Sequence, residues 1–212
     1  MSSSTLGTVS AIVLAGGAAR RLGGASKPDL IVGDDTLLDL ALAACVVAQA
    51  SPVVVVGPEA LARDGVIVTR EEPAGGGPAA GLAAGVAALA DARADAIGAE
   101  DLILALACDM PNAADAVPAL LEAARSRESD GAWLVDDTGY AQPLLAVYRG
   151  EAFAAALQSV ASVTGTSMKQ MTSELEMTPV LGLHHASDDV DTWQDADRWG
   201  ARPWPSSLGE ES

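Results

Sequence analysis

Apolar and polar positions along the chain fall into two kinds of block. Short unbroken apolar runs end at a glycine, a proline or a charge: "SAIVLAG" (10–16), "PVVVVG" (52–57), "GVIVTRE" (65–71) and "DLILALACDM" (101–110), the last closed by Pro111. Runs of this length read as strands buried on both faces of a parallel sheet. Longer stretches between them read as helices. One is capped by Asp35 or Thr36 and runs to about Gln49, with Leu37, Leu38, Leu40 and Ala41 inward. A second, rich in alanine, leaves the loop "EEPAGGGPAAG", and a third spans Ala113 to about Arg127. Strands alternating with helices predict an α/β fold, a three-layer, doubly wound, mostly parallel, Rossmann-like sheet.

After Asp130 the rhythm changes. "GAWLVDD" and "YAQPLLAVYR", joined by a "TG" turn, predict a hairpin or excursion rather than another βαβ unit. Helices follow at "GEAFAAALQSV" and from Ser167 to Glu174, then a late strand "TPVLGLHH" and a short helix in "DVDTWQDADRWG". Residues 1–8 are expected to be disordered, 9–200 to form one domain, and 201–212 to be a loose tail. No internal repeat is visible.

Composition adds three constraints. Half of the residues are hydrophobic but only 3% are aromatic, so Ala, Val, Leu and Ile must build the core. Cys45 and Cys108 match no ligand spacing and read as buried thiols. The opening "MSSSTLGTV" lacks a basic leader region, and no apolar run approaches the ~20 residues that span a bilayer. The expectation is a soluble cytoplasmic protein with no membrane partner.

Charge changes the picture most. Twelve basic residues stand against 29 acidic ones, a net charge of −17. Such a surface repels nucleic acid, which is excluded as a partner. It also repels small phosphates, unless local cations and backbone N–H groups overcome the field. "AIVLAGGAARRLGGASKPDL" (11–30) supplies both, placing Arg20, Arg21 and Lys27 on a glycine-rich turn after the first strand. Glycines let backbone approach a phosphate, and Arg21 and Lys27 would neutralise charge on a triphosphate. The turn is neither a P-loop nor a dinucleotide fingerprint, because its glycine and lysine spacing fits neither.

Three other features point to the same sheet edge. Asp109, directly after a buried strand, is placed to hold Mg²⁺ or, equally, to cap the next helix. In "REEPAGGGPAAG" (70–81) the glycines admit either a planar ligand or close helix packing, the latter favoured. In "DDVDT" (188–192), Asp189 and Asp191 alternate along an extended stretch, as a metal ligand or as helix-capping charge. His184 and His185 read as structural or surface residues, and Trp193, Trp199 and Trp204 as pins for the last helix.

Taken together, these segments resemble a family. "LAGGAARRLGGASKPDL" is similar to the signature loop of nucleotidyltransferases of the glycosyltransferase-A-like, nucleotide-diphospho-sugar transferase type. It most resembles the loop of the molybdenum cofactor guanylyltransferases. "GGGPAAGLAAGVAAL", "LILALACDMPN", "YAQPLLAVYR" and "DVDTWQDADRW" resemble further segments of that family in the same order, covering about residues 9–200. The resemblance implies transfer of GMP from GTP to molybdopterin with release of pyrophosphate, and Mg²⁺ as cofactor. The partners implied are GTP and a phosphorylated pterin acceptor, with transient contact to other cofactor-biosynthesis or acceptor proteins. Carried over by position, it implies nucleotide contacts at Leu14, Ala15, Gly16, Gly17 and Gly77. Phosphates would meet Arg21 and Lys27, and the metal would meet Asp109 and Asp191. Lys27, Arg21 and Asp109 would be catalytic, and Asp189, Asp191 and Gln142 would lie on the acceptor side. The base-contacting residue falls among Arg70, Glu71 and Glu72, with Glu71 chosen.

Two departures stand out: Ser26 replaces the family's usual Asp before the lysine, and extra glycines lengthen "PAGGGPAAG". Both bear on which base and acceptor are used. Related readings are a cytidylyltransferase for the same pterin, a phospholactate guanylyltransferase, a sugar-phosphate nucleotidyltransferase, or a nucleotide-binding module without activity.

Overall fold

The computed structural model describes residues 7–16, 26–126, 128–160, 162–183 and 185–203. The expectations placed on Gly17, Arg20, Arg21, Gly23, Gly24, His184 and Trp204 lie outside the described residues.

The apolar runs form the sheet. β1 (Val9–Leu14), β4 (Val53–Val56), β5 (Ile67–Thr69) and β6 (Leu102–Ala107) are parallel, in the order β5-β4-β1-β6. The chain therefore starts in the middle, winds outward through β4 and β5, and returns to the other side of β1 with β6. The crevice between β1 and β6 is the topological switch point, where ligands bind in open α/β sheets. The expected hairpin is present: β7 (Gly131–Val135) and β8 (Ala141–Arg149) are antiparallel, and β8 inserts beside β6. β9 (Met177–Val180) adds to β7 in parallel as the edge strand. Of seven strands only β8 runs against the rest.

Helices cover both faces. α1 (Leu37–Val47) and α3 (Ala113–Ala124) bury Leu38, Ala44, Ala116 and Leu120 against Val13 and Leu104. On the other face α2 (Pro78–Ala92) and α4 (Gly150–Ser159) pack on Ile12, Val54 and Ile103. Alanine and glycine let α2 lie close: a Cβ on Gly85 would meet Ile12 Cγ2 at 2.5 Å, and one on Gly81 would meet Leu14 Cδ2 at 3.0 Å. These two glycines serve helix packing, as favoured for this segment. The only aromatic pair is Tyr148 stacked on Phe153, centroids 4.2 Å apart, among the described residues.

Several boundaries differ from expectation. A small hairpin, β2 (Ile31–Val32) and β3 (Asp35–Thr36), turns at Gly33 with φ +67° and delivers Thr36 as the cap of α1. The helix expected from Ser167 to Glu174 is one turn, α5 (Met168–Met171). There Thr172 Oγ1 bonds back to the Met168 carbonyl at 2.9 Å, a local competitor of helix propagation. The late strand begins at Met177 and ends at Val180, before Gly182 with φ +80°. Pairing also reaches beyond the expected domain limits. Thr8 is tied to Asp101, and Arg202 exchanges backbone hydrogen bonds with Ile31, two residues into the segment expected to be loose. Cys45 and Cys108 are free and buried; burial pushes both thiols up to about 12. Among the described residues, no helix is long and apolar enough to cross a membrane.

Candidate functional site at the switch point

The site is built where β1 and β6 end. Leu14 and Ala15 continue the β1 edge, and their backbone is committed to the sheet. The Leu14 carbonyl accepts from Cys108 N at 3.0 Å, and Ala15 N donates to the Val56 carbonyl at 2.9 Å. Ala15 is buried and Leu14 packs with the α2 cluster. Gly16 is the first exposed residue of this edge. A Cβ there would lie 3.5 Å from Val56 O and 3.9 Å from Glu71 Oε2, so Gly16 faces Glu71 on the β4 side of β1.

Lys27 opens a single 3₁₀ turn (Lys27–Asp29), where Pro28 fixes the backbone and is itself buried. Its side chain reaches two carboxylates from distant parts of the chain. Nζ lies 2.6 Å from Asp109 Oδ2 and 2.5 Å from Asp191 Oδ1. Burial alone would lower the Lys27 pKa, but Asp109 and then Asp191 outweigh it and hold it above the usual lysine value. The ammonium is therefore fixed in its charged form.

Asp191 is brought in by a short extended link. Val190 N donates to the Asp109 carbonyl at 3.0 Å, and the Val190 side chain is buried with Leu30, Leu37 and Ala196. With Val190 inward, its neighbours Asp189 and Asp191 both project to the opposite, outward side. Thr192 then starts α6 (Trp193–Arg198) with a capping box: Thr192 Oγ1 accepts from Asp195 N, and Asp195 accepts from Thr192 N. Trp199 packs against the Leu30–Val190 cluster, as expected of a pin, whereas Trp193 is exposed. Asp189 is crowded by charge. Partial desolvation, then Asp191 and Asp109, raise its pKa above the ordinary carboxylate value, with Lys27 opposing.

The two carboxylates on Lys27 test the fit of a divalent cation. Asp109 Oδ2 and Asp191 Oδ1 converge on one cationic atom, so the ammonium marks a point where both can face a metal. No group of three or more potential ligands occurs among the described residues. The pair of carboxylates still fits a hard divalent cation, which can complete its shell with water and substrate phosphates. Asp109 does not cap α3; Asn112 precedes that helix, so the capping alternative falls away.

The glycine-rich loop divides by role. Gly81 and Gly85 pack α2 on β1, while Gly75 and Gly77 have φ of +81° and +91° with open space around them. Gly77 sits just before α2 and is exposed. Glu71 Oε1 accepts from Gly75 N at 2.9 Å, which ties the acid into the loop and leaves Oε2 toward Gly16. Its neighbours Arg70 and Glu72 are exposed.

Gln142 lies apart from Lys27. It lines a cavity of about 330 Å³ with Asp136, Asp188, Asp189, His185 and Arg198. Asp189 connects this cavity to the Lys27 centre by charge. Asp136 was not singled out in the sequence, and only its place before the "TG" turn could have drawn attention to it. His185 is exposed and bonds Asp188 at 2.8 Å, consistent with a surface role.

Known proteins can now be set beside this geometry. No curated protein sequence matches the chain. Among solved structures, the chain is similar to the molybdopterin-guanine dinucleotide biosynthesis protein A of Archaeoglobus fulgidus. The two share 21% identity over 90% of this chain and 96% of that one, with a TM-score of 0.64. A Mycobacterium tuberculosis protein solved in complex with manganese shares 19% identity over 92% and 98%, with a TM-score of 0.62. A 4-diphosphocytidyl-2C-methyl-D-erythritol synthase from Anaerococcus prevotii shares 14% over 91% and 94%, with a TM-score of 0.61. At these identities the likeness establishes the fold. The sequence itself goes further: the profile of the MobA-like NTP transferase domain matches residues 11–177, which include most of β1, Lys27, Asp109 and the β7–β8 hairpin. The chain belongs to the MobA-like NTP transferase domain family and is a nucleotidyltransferase.

Proposed function

We propose that this nucleotidyltransferase transfers GMP from GTP to molybdopterin and releases pyrophosphate, with Mg²⁺ as the metal. The observation that carries the reading is Lys27 held between Asp109 and Asp191 at the β1–β6 switch point. The Archaeoglobus relative, named for molybdopterin-guanine dinucleotide biosynthesis, supports the acceptor. The manganese complex of the Mycobacterium relative supports a divalent metal.

GTP lies with its base toward Glu71 and its phosphates over Gly16 and Lys27. Glu71 Oε2 accepts from guanine N1–H and the 2-amino group, a pair of donors that one carboxylate edge can engage. The exposed backbone of Gly77 lets the base approach the loop. Lys27 donates hydrogen bonds to phosphate oxygens, and Arg21 of the same glycine-rich segment adds a second cation. A terminal phosphate oxygen of the acceptor attacks the α-phosphorus in line; the bond to the β-phosphate oxygen breaks and pyrophosphate departs. Lys27 stabilises the charge that builds on the phosphate oxygens. Asp109 and Asp191 would hold Mg²⁺, which when bound supplies Lewis-acid stabilisation of phosphate charge. Asp189 and Gln142 face the acceptor.

Pyrophosphate release tests this directly, with GTP, CTP, ATP and UTP each offered together with molybdopterin. Turnover with GTP above the other three is expected. Turnover with CTP alone would overturn the base assignment, and no turnover with any of them would overturn the acceptor.

A further inference from the structure

The cavity beside the Lys27 centre is walled on one side by the turn between β7 and β8. That turn is organised by a single carboxylate. Asp136 Oδ1 accepts from Thr138 N at 2.9 Å, Thr138 Oγ1 at 2.6 Å and Tyr140 N at 3.0 Å. Its other oxygen, Oδ2, accepts from Gln142 Nε2 at 2.8 Å. The Thr138 hydroxyl, the Tyr140 amide and Gln142 hold the Asp136 carboxyl down to about 2, so it remains an anion that can only accept.

An acceptor-only partner fixes which way an amide points. Gln142 must turn its NH₂ to Asp136, and Oε1 is left as the end that Asp136 does not engage. Oε1 has no partner among the described residues. Gln142 and Asp136 both line the cavity, together with Asp189.

We infer that Asp136 is a positioning residue: it locks the Gln142 amide so that the carbonyl, not the NH₂, is offered to the acceptor substrate. The acceptor is then gripped through an N–H or O–H donor, as the amino-pyrimidinone ring of a pterin provides. The inference concerns the same site as the proposed function and rests on it for the acceptor's identity.

An isosteric exchange tests it. In Asp136→Asn the carbonyl of the new amide keeps the three donors of the turn, so its NH₂ faces Gln142. Gln142 must then flip and show NH₂ to the cavity. Adding Gln142→Glu restores the original sense: the introduced carboxylate accepts from that NH₂ with one oxygen and offers the other to the cavity, with net charge unchanged. In pyrophosphate release with GTP and molybdopterin, D136N is expected to raise KM for molybdopterin at least about tenfold. KM for GTP stays within about twofold. The double variant recovers to within about threefold of wild type. An unchanged acceptor KM in D136N, or no recovery in the double variant, overturns the inference.

The lock itself is read without substrate, by hydrogen exchange of side-chain amides in NMR spectra. In the wild type the Gln142 NH₂ should exchange more slowly than that of exposed Gln194 on α6; in D136N this protection is lost. Equal exchange at Gln142 and Gln194 in the wild type overturns the lock. Absence of wild-type turnover with molybdopterin would instead sink the proposed acceptor, and the exchange result would still decide on Asp136.

Discussion

The two ends of the central strands carry the same kind of feature and use it differently. At the amino ends of β1 and β6, Arg93 Nη2 meets Asp101 Oδ2 at 2.6 Å; at the carboxyl ends, Lys27 Nζ meets Asp109 Oδ2 at 2.6 Å. Asp101 is saturated: it also accepts from Thr8 N, Thr8 Oγ1 and Gly98 N. Arg93 reaches Thr8 Oγ1 and Ser10 Oγ as well. One cation balances one anion, and both side chains are mostly buried, 14% and 12% exposed. At the other end one cation faces two carboxylates, and Asp191 is 47% exposed. The amino end is a closed clasp that ties the start of β1 to the start of β6. Among the described residues, the carboxyl end carries an excess of negative charge and open access. Chemistry belongs at the end whose charges are not yet balanced.

Substitutions should separate the two ends, the largest effect first. Lys27→Ala should lower kcat on the order of a thousandfold, as loss of a group that stabilises transition-state charge does, with a much smaller change in nucleotide KM. Wild-type turnover in steady-state assays would remove Lys27 from the chemistry. Arg93→Met should do the reverse. It strands the Asp101 carboxylate and should cost about 2–4 kcal/mol of stability. At about 2–4 °C per kcal/mol for a chain of this size, calorimetry should show Tm falling by roughly 4–16 °C while kcat holds.

Acid should open the clasp. Burial works against the Asp101 charge, but hydrogen bonds from Gly98 and Thr8, with Arg93, outweigh it and depress its pKa. A depressed carboxyl contributes stability in full above its unfolded value near pH 4, and that contribution fades as pH falls through the lower folded value. Urea unfolding of wild type and Asp101→Asn should therefore differ most above about pH 4 and converge below it; a gap that does not narrow would deny the linkage.

The smallest effects compare two capping boxes. Thr36→Ala, at the start of α1, and Thr192→Ala, at the start of α6, each remove a side-chain cap and should each cost about 1 kcal/mol. Only Thr192 adjoins Asp191, so only T192A should also lower kcat, by a few-fold. Equal kcat in the two variants would show that α6 does not position Asp191.

How much of this could be read from the chain varied with the range of the interactions. The buried strands of the parallel half and the capped α1 announced themselves locally, because apolar runs, caps and glycines act over a few residues. Lys27 and Asp109 were legible as strand-edge chemistry, and Asp191 through its alternation with Asp189. That Asp109 and Asp191 share a site was implied only by the resemblance, and their joint ion pair with Lys27 was not legible: Lys27 and Asp191 are 164 residues apart, and no local rule says that one ammonium bridges two carboxylates. The limits of α5 and β9 depended on one hydroxyl bonding back and one glycine with positive φ. Asp136 was missed because its importance lies in three hydrogen bonds from a turn and a fourth from Gln142, and "DDTGY" alone does not reveal which aspartate collects them.

The hydrogen bond from Val190 to the Asp109 carbonyl has a consequence in time. The strands β1, β4, β5 and β6 are all encoded before Asp109, whereas its partner Asp191 follows 82 positions later. At a synthesis rate of roughly 5–20 residues per second, Asp109 waits about 4–16 s for Asp191 to be made. Through that interval the nascent chain carries the segments of the parallel half of its sheet and one acidic partner for Lys27, not two. A later-made segment completes the charge pattern, so the chain acquires its paired carboxylates only once Asp191 has been made.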